Sequence, residues 1–371
     1  MTGNSLGERF VTVSFGESHG RCVGVVVDGC PAGLPLDEEE VQRELDLRRP
    51  GTSPVTTART EEDRVEFLSG IFRGHTTGAP LAMLVWNKDV DSSSYEKMRG
   101  TPRPGHADYT AFVKYGGFED YRGGGRFSAR LTAGFVMAGS VAKQLIRHVW
   151  GSQVYAFTRE IAGVRAPELT VEEIRGGRYS NDVRCPHPAT AAVMEQKILE
   201  ARRDGDSVGG LIECIAVDLP VGVGEPLFAA LDSDLSKALF AIPAVKGVEF
   251  GLGFESARRR GSENNDAFKV VNGKIVTETN NSGGILGGLT SGMPLVVRIA
   301  FKPPSSIAKP QATVSVNTLK ETSLAVTGRH DPCVLPRAVP VVESMVALVL
   351  ADHGLRGGLI PAVLKRSATP D

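Results

Sequence analysis

The sequence predicts a single-domain protein of the mixed α/β (α+β) class, and three observations support this prediction. Strand-like and helix-like segments follow one another along the chain, with no division into an all-helical part and an all-strand part. The 371 residues contain no internal repeat and no linker-like stretch. Apolar residues make up 41% of the chain, which is enough to form a packed core.

The individual elements follow from the apolar pattern and from end signals. Alternating or β-branched runs predict strands over residues 11–15, 21–30, 208–219 and 293–301, and a hairpin over residues 268–279 with Asn272 and Gly273 at its turn. Helical patterns predict helices over residues 37–48, 128–149, 189–203, 234–242 and 336–353. The long loops left between them are rich in arginine, glycine, serine and proline, and functional residues tend to concentrate in such loops. These loops are residues 46–64, 88–127 and 302–333.

The segment GESHG, residues 16–20, fits the G-x-S-x-G motif on which many hydrolases mount a serine nucleophile. Such an elbow requires a strand before the serine and a helix after it. Here the following run, RCVGVVVDGC, is rich in valine and predicts a second strand. The context therefore favours a hairpin turn that presents residues 17–19 at one end of a sheet. A turn selected only for local hydrogen bonding is the alternative.

Charge and targeting signals argue against several classes of protein. The formal net charge of −1 gives no general attraction to nucleic acid or to an anionic membrane. The N-terminus lacks the apolar run of a signal peptide, and no segment reaches the ~18 apolar residues of a membrane helix. The five cysteines are scattered without a C-x-x-C pair, so we expect a cytoplasmic protein with reduced, mostly buried thiols. No P-loop, G-x-G-x-x-G or H-E-x-x-H motif occurs.

Arginine recurs in the glycine- and proline-rich loops. Guanidinium groups bind carboxylates and phosphates bidentately, so three glycine-flanked clusters favour a pocket for a small polyanion over an ordinary solvated surface. Aromatic residues are sparse among them, and no nucleic-acid-binding motif occurs, so nucleic acid is not the expected partner. The arginines concerned are Arg48, Arg49, Arg103, Arg122, Arg126, Arg130, Arg329 and Arg337.

Three further residues have the chemistry of proton transfer. His19 and His106 each lie in a glycine-bounded turn, and Asp331 follows His330 in GRHDPCV. Two histidines and an aspartate among arginines suit either a metal site or acid–base groups, because imidazole titrates near neutral pH. Metal ligands usually come in closely spaced pairs, whereas these residues are single and distant. Acid–base chemistry is therefore favoured.

Seven segments together resemble the chorismate synthase family. They occur in the family's order, and the resemblance covers about residues 5–355. The segments are GESHG (16–20), RRPGTS (48–53), RPGHADYT (103–110), YRGGGRFSAR (121–130), GGILGGLTSG (283–292), KPPSSI (302–307) and GRHDPCVLPRAVPVVE (328–343).

The resemblance implies a lyase that converts 5-enolpyruvylshikimate-3-phosphate to chorismate and phosphate, a step of the shikimate pathway of aromatic amino-acid biosynthesis. The implied reaction is a 1,4-anti elimination that requires reduced FMN. Members of the family are thought to pass an electron transiently from the flavin to the substrate, and the flavin ends as it began. The resemblance also implies a β-α-β sandwich, with helices between two antiparallel sheets, and assembly as a homotetramer.

Residue roles are implied by the same resemblance. His19 matches the acid beside the departing phosphate, and His106 matches the group that protonates the flavin. Asp331, assisted by Ser128, matches the residue that manages the proton at flavin N5. Substrate anions are implied at Arg48, Arg49, Arg130 and Arg337. FMN contacts are implied at Arg126, Phe127, Ser128, Pro243, Ala244, Gly287, Lys302, Pro303, Pro304, Ser305, Ser306 and Arg329. No metal is implied.

Three positions depart from the family pattern. Pro54 replaces a common arginine or lysine associated with NADPH contact, Phe127 replaces a small residue, and Pro243 replaces a common asparagine. Arg48 could still hold an NADPH phosphate. Because no dinucleotide-binding turn occurs either, we expect NADPH to act only weakly or indirectly, through a separate flavin reductase. The alternatives are a serine hydrolase that uses Ser18 and a non-catalytic flavin- or polyanion-binding protein.

Overall fold

The computed structural model describes residues 3–49, 51, 62–326, 328 and 330–365. Its strands are β1 (Ser5–Leu6), β2 (Val11–Gly16), β3 (Cys22–Asp28), β4 (Glu66–Ser69), β5 (Ile71–Phe72), β6 (His75–Thr76), β7 (Leu81–Trp86), β8 (Gln153–Ile161), β9 (Val164–Arg165), β10 (Gly210–Val217), β11 (Val245–Phe250), β12 (Phe268–Val271), β13 (Lys274–Thr277), β14 (Ile285–Leu286), β15 (Leu289–Thr290), β16 (Leu295–Phe301), β17 (Gln311–Ser315) and β18 (Lys320–Leu324). Its α-helices are α1 (Glu38–Arg48), α2 (Ser93–Lys97), α3 (Asp108–Tyr115), α4 (Thr132–Trp150), α5 (Val171–Gly177), α6 (Pro188–Arg203), α7 (Leu231–Phe240), α8 (Gly261–Asn264) and α9 (Leu335–Arg356).

Two antiparallel sheets of five strands enclose a layer of helices. The first sheet has the order β1-β2-β3-β7-β4, and the second has the order β11-β16-β10-β8-β9. Helix α4 packs against β3, helix α9 packs against β8 and β10, and the two helices pack against each other. One hydrophobic core contains residues of both sheets and both helices. The α+β sandwich implied by the resemblance is thereby confirmed.

Small residues in α4 allow this close packing. A Cβ atom on Gly139 would lie 2.2 Å from the Cβ of Ser344 in α9, and one on Gly134 would lie 3.0 Å from the carbonyl oxygen of Gly24 in β3. The small residues of the run AGFVMAGS are therefore explained by the close approach of α9 on one side and of β3 on the other. A larger side chain at Gly134 would push α4 away from the first sheet, and one at Gly139 would push it away from α9.

Helix α9 is long and apolar enough to cross a membrane, judged by length and composition alone. However, 94% of its most apolar window is buried inside the protein. In the part of the chain that the structure describes, no other helix meets the same criteria.

The loops predicted over residues 88–127 and 302–333 contain regular structure. The first contains α2, α3 and a 3-10 turn over Arg122–Phe127, and the second contains the β17–β18 hairpin. Strands β7 and β8, which lie in the interior of the two sheets with a neighbour on each side, were not predicted. Buried strands lack the alternation that marks a half-exposed strand, so periodicity alone does not separate them from other apolar runs.

Candidate active site

The GESHG segment forms the turn between the paired strands β2 and β3, as predicted. The Asn87 side chain donates hydrogen bonds to the carbonyl oxygens of Glu17 and Gly20, at 3.1 Å and 2.9 Å, and holds the turn in place. No helix follows Ser18, and its buried hydroxyl has no hydrogen-bond partner among the described residues. A nucleophile elbow is therefore wrong for this segment, because nothing activates the serine.

His19 is buried, with 8% of its surface exposed. Its Nδ1 lies 2.9 Å from the Ser92 hydroxyl, and the Tyr95 ring meets the imidazole edge-on at 5.2 Å between centroids. Ser92 and Tyr95 come from the segment around α2, which sequence reasoning treated as a loop. The two contacts fix the orientation of the ring.

A run of three glycines passes between the two histidines. Gly123, Gly124 and Gly125 have φ of 61°, 81° and 51°, the left-handed region that glycine tolerates best. A Cβ atom on Gly123 would lie 2.2 Å from Cδ2 of His19, and one on Gly124 would lie 3.2 Å from Cε1 of His106. The glycines of YRGGGRFSAR therefore let the backbone approach the catalytic candidates themselves.

His106 is held by an ion pair that the sequence reasoning missed. Asp108 Oδ1 lies 2.6 Å from Nδ1 of His106, and Arg103 binds the same carboxylate through two contacts of 2.8 Å. Burial alone would raise the pKa of Asp108, but hydrogen bonds from Arg103 and His106 outweigh it and hold this pKa well below its usual range. Arg103 also contacts the ring itself, with its Nη2 at 3.0 Å from Nδ1 and 3.2 Å from Nε2 of His106, so Asp108 and Arg103 together fix the imidazole. The spacing H-A-D in RPGHAD was the available signal.

A buried charge supports Arg130 and Arg337, the two arginines that form the arginine wall of the site. Asp63, which is 2% exposed, accepts hydrogen bonds from Arg130 Nη1 and, at 3.3 Å, from Arg48 Nη1. Burial lowers the pKa of Arg48 to about 9, and the nearby charge of Arg337 adds to this effect. Arg337 in turn pairs with Asp331 and donates to the carbonyl oxygen of Arg48 at 3.2 Å. Asp63 lies in a predicted loop, where no local pattern distinguishes it.

A cavity of about 490 Å³ brings most of the predicted site residues together. It lies where the β2–β3 turn, the start of α4, the end of α7 and the start of α9 meet. The predicted residues in its lining are His19, His106, Arg126, Phe127, Ser128, Arg130, Pro243, Ala244, Lys302, Pro303, Pro304, Ser305, Ser306, Asp331 and Arg337.

Three further predicted site residues do not line this cavity, namely Arg48, Arg49 and Gly287. Arg48 is buried behind its wall, whereas Arg49 lies in a different surface cleft, 3.7 Å from Asp46. Gly287 lies at the exposed turn between β14 and β15. Arg329 and Pro54 lie outside the described residues.

The glycine run 283–288 allows a close approach within the protein backbone. A Cβ atom on Gly283 would lie 2.3 Å from the amide nitrogen of Gly251, and one on Gly284 would lie 2.5 Å from the carbonyl oxygen of Pro294. These positions therefore need glycine irrespective of any bound ring. The expected flavin contact at Gly287 stays a prediction.

We expect His330 to make folding stability depend on pH. Burial lowers its pKa from 6.5 to about 4, and the charge of Arg103 adds to the effect. The unfolded chain therefore binds more protons between these two values, so stability falls as the pH decreases through this window. Between pH 7 and pH 4.5 this residue should account for a loss of about 2 kcal/mol.

The measurement is urea unfolding of the wild type and of His330→Asn at both pH values. We expect the stability of the variant to fall less than that of the wild type by this amount. An identical pH dependence of the two proteins would contradict the assignment.

The fold and the cavity define an α+β protein with a cationic pocket that contains acid–base groups. The family model described as chorismate synthase matches residues 10–355. Chorismate synthase of Dehalococcoides mccartyi is 54% identical over 98% of this chain and 100% of its own length, and that of Korarchaeum cryptofilum is 54% identical over 96% and 98%. A solved structure, "Crystal Structure of Chorismate Synthase", aligns with a TM-score of 0.74 and 31% identity, over 93% of this chain and 91% of its own. The chain belongs to the chorismate synthase family.

Proposed function

We propose that this chain converts 5-enolpyruvylshikimate-3-phosphate to chorismate and phosphate with reduced FMN. The observation that carries the proposal is one cavity in which Arg130 and Arg337 lie with His19, His106 and Asp331. A substrate with two carboxylates and a phosphate needs several guanidinium groups, and a 1,4-elimination needs placed proton donors and acceptors. The names of the relatives support the same reaction.

The residues of the cavity fit FMN. Lys302 to Ser306, Arg126 to Ser128, and Pro243 with Ala244 line it and offer cations, hydroxyls and backbone groups to a phosphate and a flat ring. One buried guanidinium nitrogen, Nη2 of Arg130, has no hydrogen-bond partner among the described residues, as expected of a donor reserved for an anion. When bound, reduced FMN would supply a transient electron and an acceptor for the hydrogen, and it would be regenerated in each cycle.

The protein groups would bind the anions and move the protons. Ser92 occupies Nδ1 of His19, so Nε2 of His19 would give the proton to the departing phosphate. Asp108 at Nδ1 and Arg103 near Nε2 hold the ring of His106, which would hold a proton beside the flavin. Asp331 is oriented by its ion pair with Arg337 and would accept a proton from its position in the same cavity.

The test is anaerobic release of phosphate from 5-enolpyruvylshikimate-3-phosphate by the pure chain with dithionite-reduced FMN. We expect many turnovers and no net oxidation of the flavin. Oxidised FMN with NADPH should release almost no phosphate in the dark, because we propose that a separate reductase supplies the reduced flavin. Brisk turnover with oxidised FMN and NADPH would overturn only the proposal of a separate reductase. No phosphate release with reduced FMN would overturn the proposed function.

Arg337 and Arg49 form a matched pair for testing the substrate anions. Arg337→Lys should raise the apparent KM for the substrate about tenfold or more, because lysine cannot form a bidentate fork. Arg49→Lys should leave KM unchanged, because Arg49 lies in another cleft. Both variants keep their charge, so general electrostatics cannot explain a difference. Equal effects of the two substitutions would contradict this placement.

A further inference from the structure

A second cavity of about 440 Å³ lies beside the proposed reaction cavity. The two share Tyr95, Arg103, His106, Ala107 and Phe127 as a common wall. The rest of the second cavity is formed by residues 98–102, helix α3, residues 117–121 and the turn between β17 and β18. The roles proposed above for substrate and FMN leave this part without a function.

Five aromatic rings contribute to the lining of the second cavity. They are the rings of Tyr95, Tyr109, Phe112, Tyr121 and Phe127. Several remain accessible, with exposures of 55% for Tyr109, 41% for Phe112 and 38% for Phe127. Rings that face a pocket and stay accessible favour a flat apolar ligand that stacks on them or meets their edges.

The charged groups of the lining leave one cation and one anion unpaired. Arg103 pairs with Asp108, and Asp120 pairs with Arg122, which lies outside the lining. Neither Arg99 nor Glu119 forms an ion pair within the described residues.

Arg99 is exposed and accessible to a ligand, whereas Glu119 carries a buried oxygen that lacks a partner among the described residues. The guanidinium of Arg99 lies over the Tyr121 ring at 5.4 Å, a position that uses none of its hydrogen-bond donors. The buried oxygen of Glu119 is Oε2. An unsatisfied polar atom of this kind costs free energy, which a bound ligand with a complementary charge would recover.

We propose that this cavity binds a zwitterionic aromatic amino acid. The aromatic ring of the ligand lies among Tyr109, Phe112 and Tyr121, which line this cavity and not the reaction cavity. Its carboxylate pairs with Arg99, and its ammonium group pairs with Glu119. A guanidinium group binds a carboxylate bidentately, and neighbouring rings favour an ammonium group. The volume suits a ligand of this size. The proposal concerns a site outside the reaction cavity, and it stands independently of the reaction catalysed there.

Calorimetric titration of the full-length chain with single compounds tests the ligand class. L-phenylalanine should bind at one site per chain. Three analogues, each lacking one recognition element, should bind with a Kd at least about tenfold higher. A tenfold change corresponds to about 1.4 kcal/mol of binding free energy. They are 3-phenylpropionate, which lacks the ammonium group, 2-phenylethylamine, which lacks the carboxylate, and L-leucine, which lacks the ring.

Two variants assign the two charges. Glu119→Gln should weaken the binding of L-phenylalanine but not that of 3-phenylpropionate. Arg99→Gln should weaken the binding of L-phenylalanine but not that of 2-phenylethylamine. The unaffected analogue shows in each case that the variant is folded. Lys97→Gln removes the charge of a nearby exposed residue that does not line the cavity, and it should leave the affinity for all four compounds unchanged.

Saturating FMN distinguishes a separate site from a lobe of the reaction cavity. We expect the affinity for L-phenylalanine to be the same with and without FMN. Competition by FMN, an unchanged affinity in both Glu119→Gln and Arg99→Gln, or no saturable binding of L-phenylalanine at millimolar concentration would each overturn the proposal.

Discussion

Replacing His19 or His106 by alanine should lower turnover by about 10²–10⁴-fold, the usual contribution of a positioned general acid or base. Each ring lies in the proposed reaction cavity, and each is oriented through Nδ1, by Ser92 and by Asp108 respectively. An alanine removes the proton carrier and leaves the arginine wall intact. FMN and substrate should therefore still bind.

The measurement is anaerobic phosphate release with reduced FMN, together with the Kd of FMN from fluorescence quenching. His148→Ala is the control, because that histidine is exposed on α4 and lies outside both cavities. Near-wild-type turnover in either active-site variant would remove that histidine from the mechanism. A loss of FMN binding that parallels the loss of turnover would indicate a structural role.

Replacing Asp63 by asparagine should destabilise the fold by about 3–5 kcal/mol, the usual cost of breaking a buried ion pair by removing one partner. The side chain of Asp63 is inaccessible to solvent, and it pairs with both buried arginines, Arg48 and Arg130. Although burial opposes the effect, the two arginines hold the pKa of Asp63 below its usual value. Asparagine keeps the shape and tolerates the φ of 47° at this position, so the loss of charge is the main change.

Urea unfolding at neutral pH measures this effect, and the neighbouring residue provides the control. Glu62 also forms an ion pair, with Lys88 at 2.7 Å, but both side chains are exposed. Glu62→Gln should therefore leave the midpoint unchanged, since surface pairs contribute little. If Asp63→Asn proves as stable as Glu62→Gln, the charge network is not a determinant of stability.

The sequence was most informative where function depends on contiguous segments. GESHG, RPGHAD and YRGGGRFSAR each place a histidine or arginine in a glycine-bounded turn, and the cavity contains residues from all three. Helices α1, α4, α6, α7 and α9 and the strands β2, β3, β10 and β16 were also predicted, with ends within a few residues of those observed. Each of these predictions depends on neighbours along the chain, which local propensity and periodicity describe.

Only the tertiary structure decided which charges meet. Asp63 joins Arg130 across 67 residues of sequence, and Ser92 meets His19 across 73. The same holds for Arg49, which was itself predicted to bind substrate anions but lies in a different cleft. It also holds for β7 and β8, whose pairing on both sides identifies them as interior strands. The sequence by itself determined the family, the class of fold and the residue types of the site. The pairing of those residues required the packed structure, because burial and partner choice depend on contacts between segments distant in sequence.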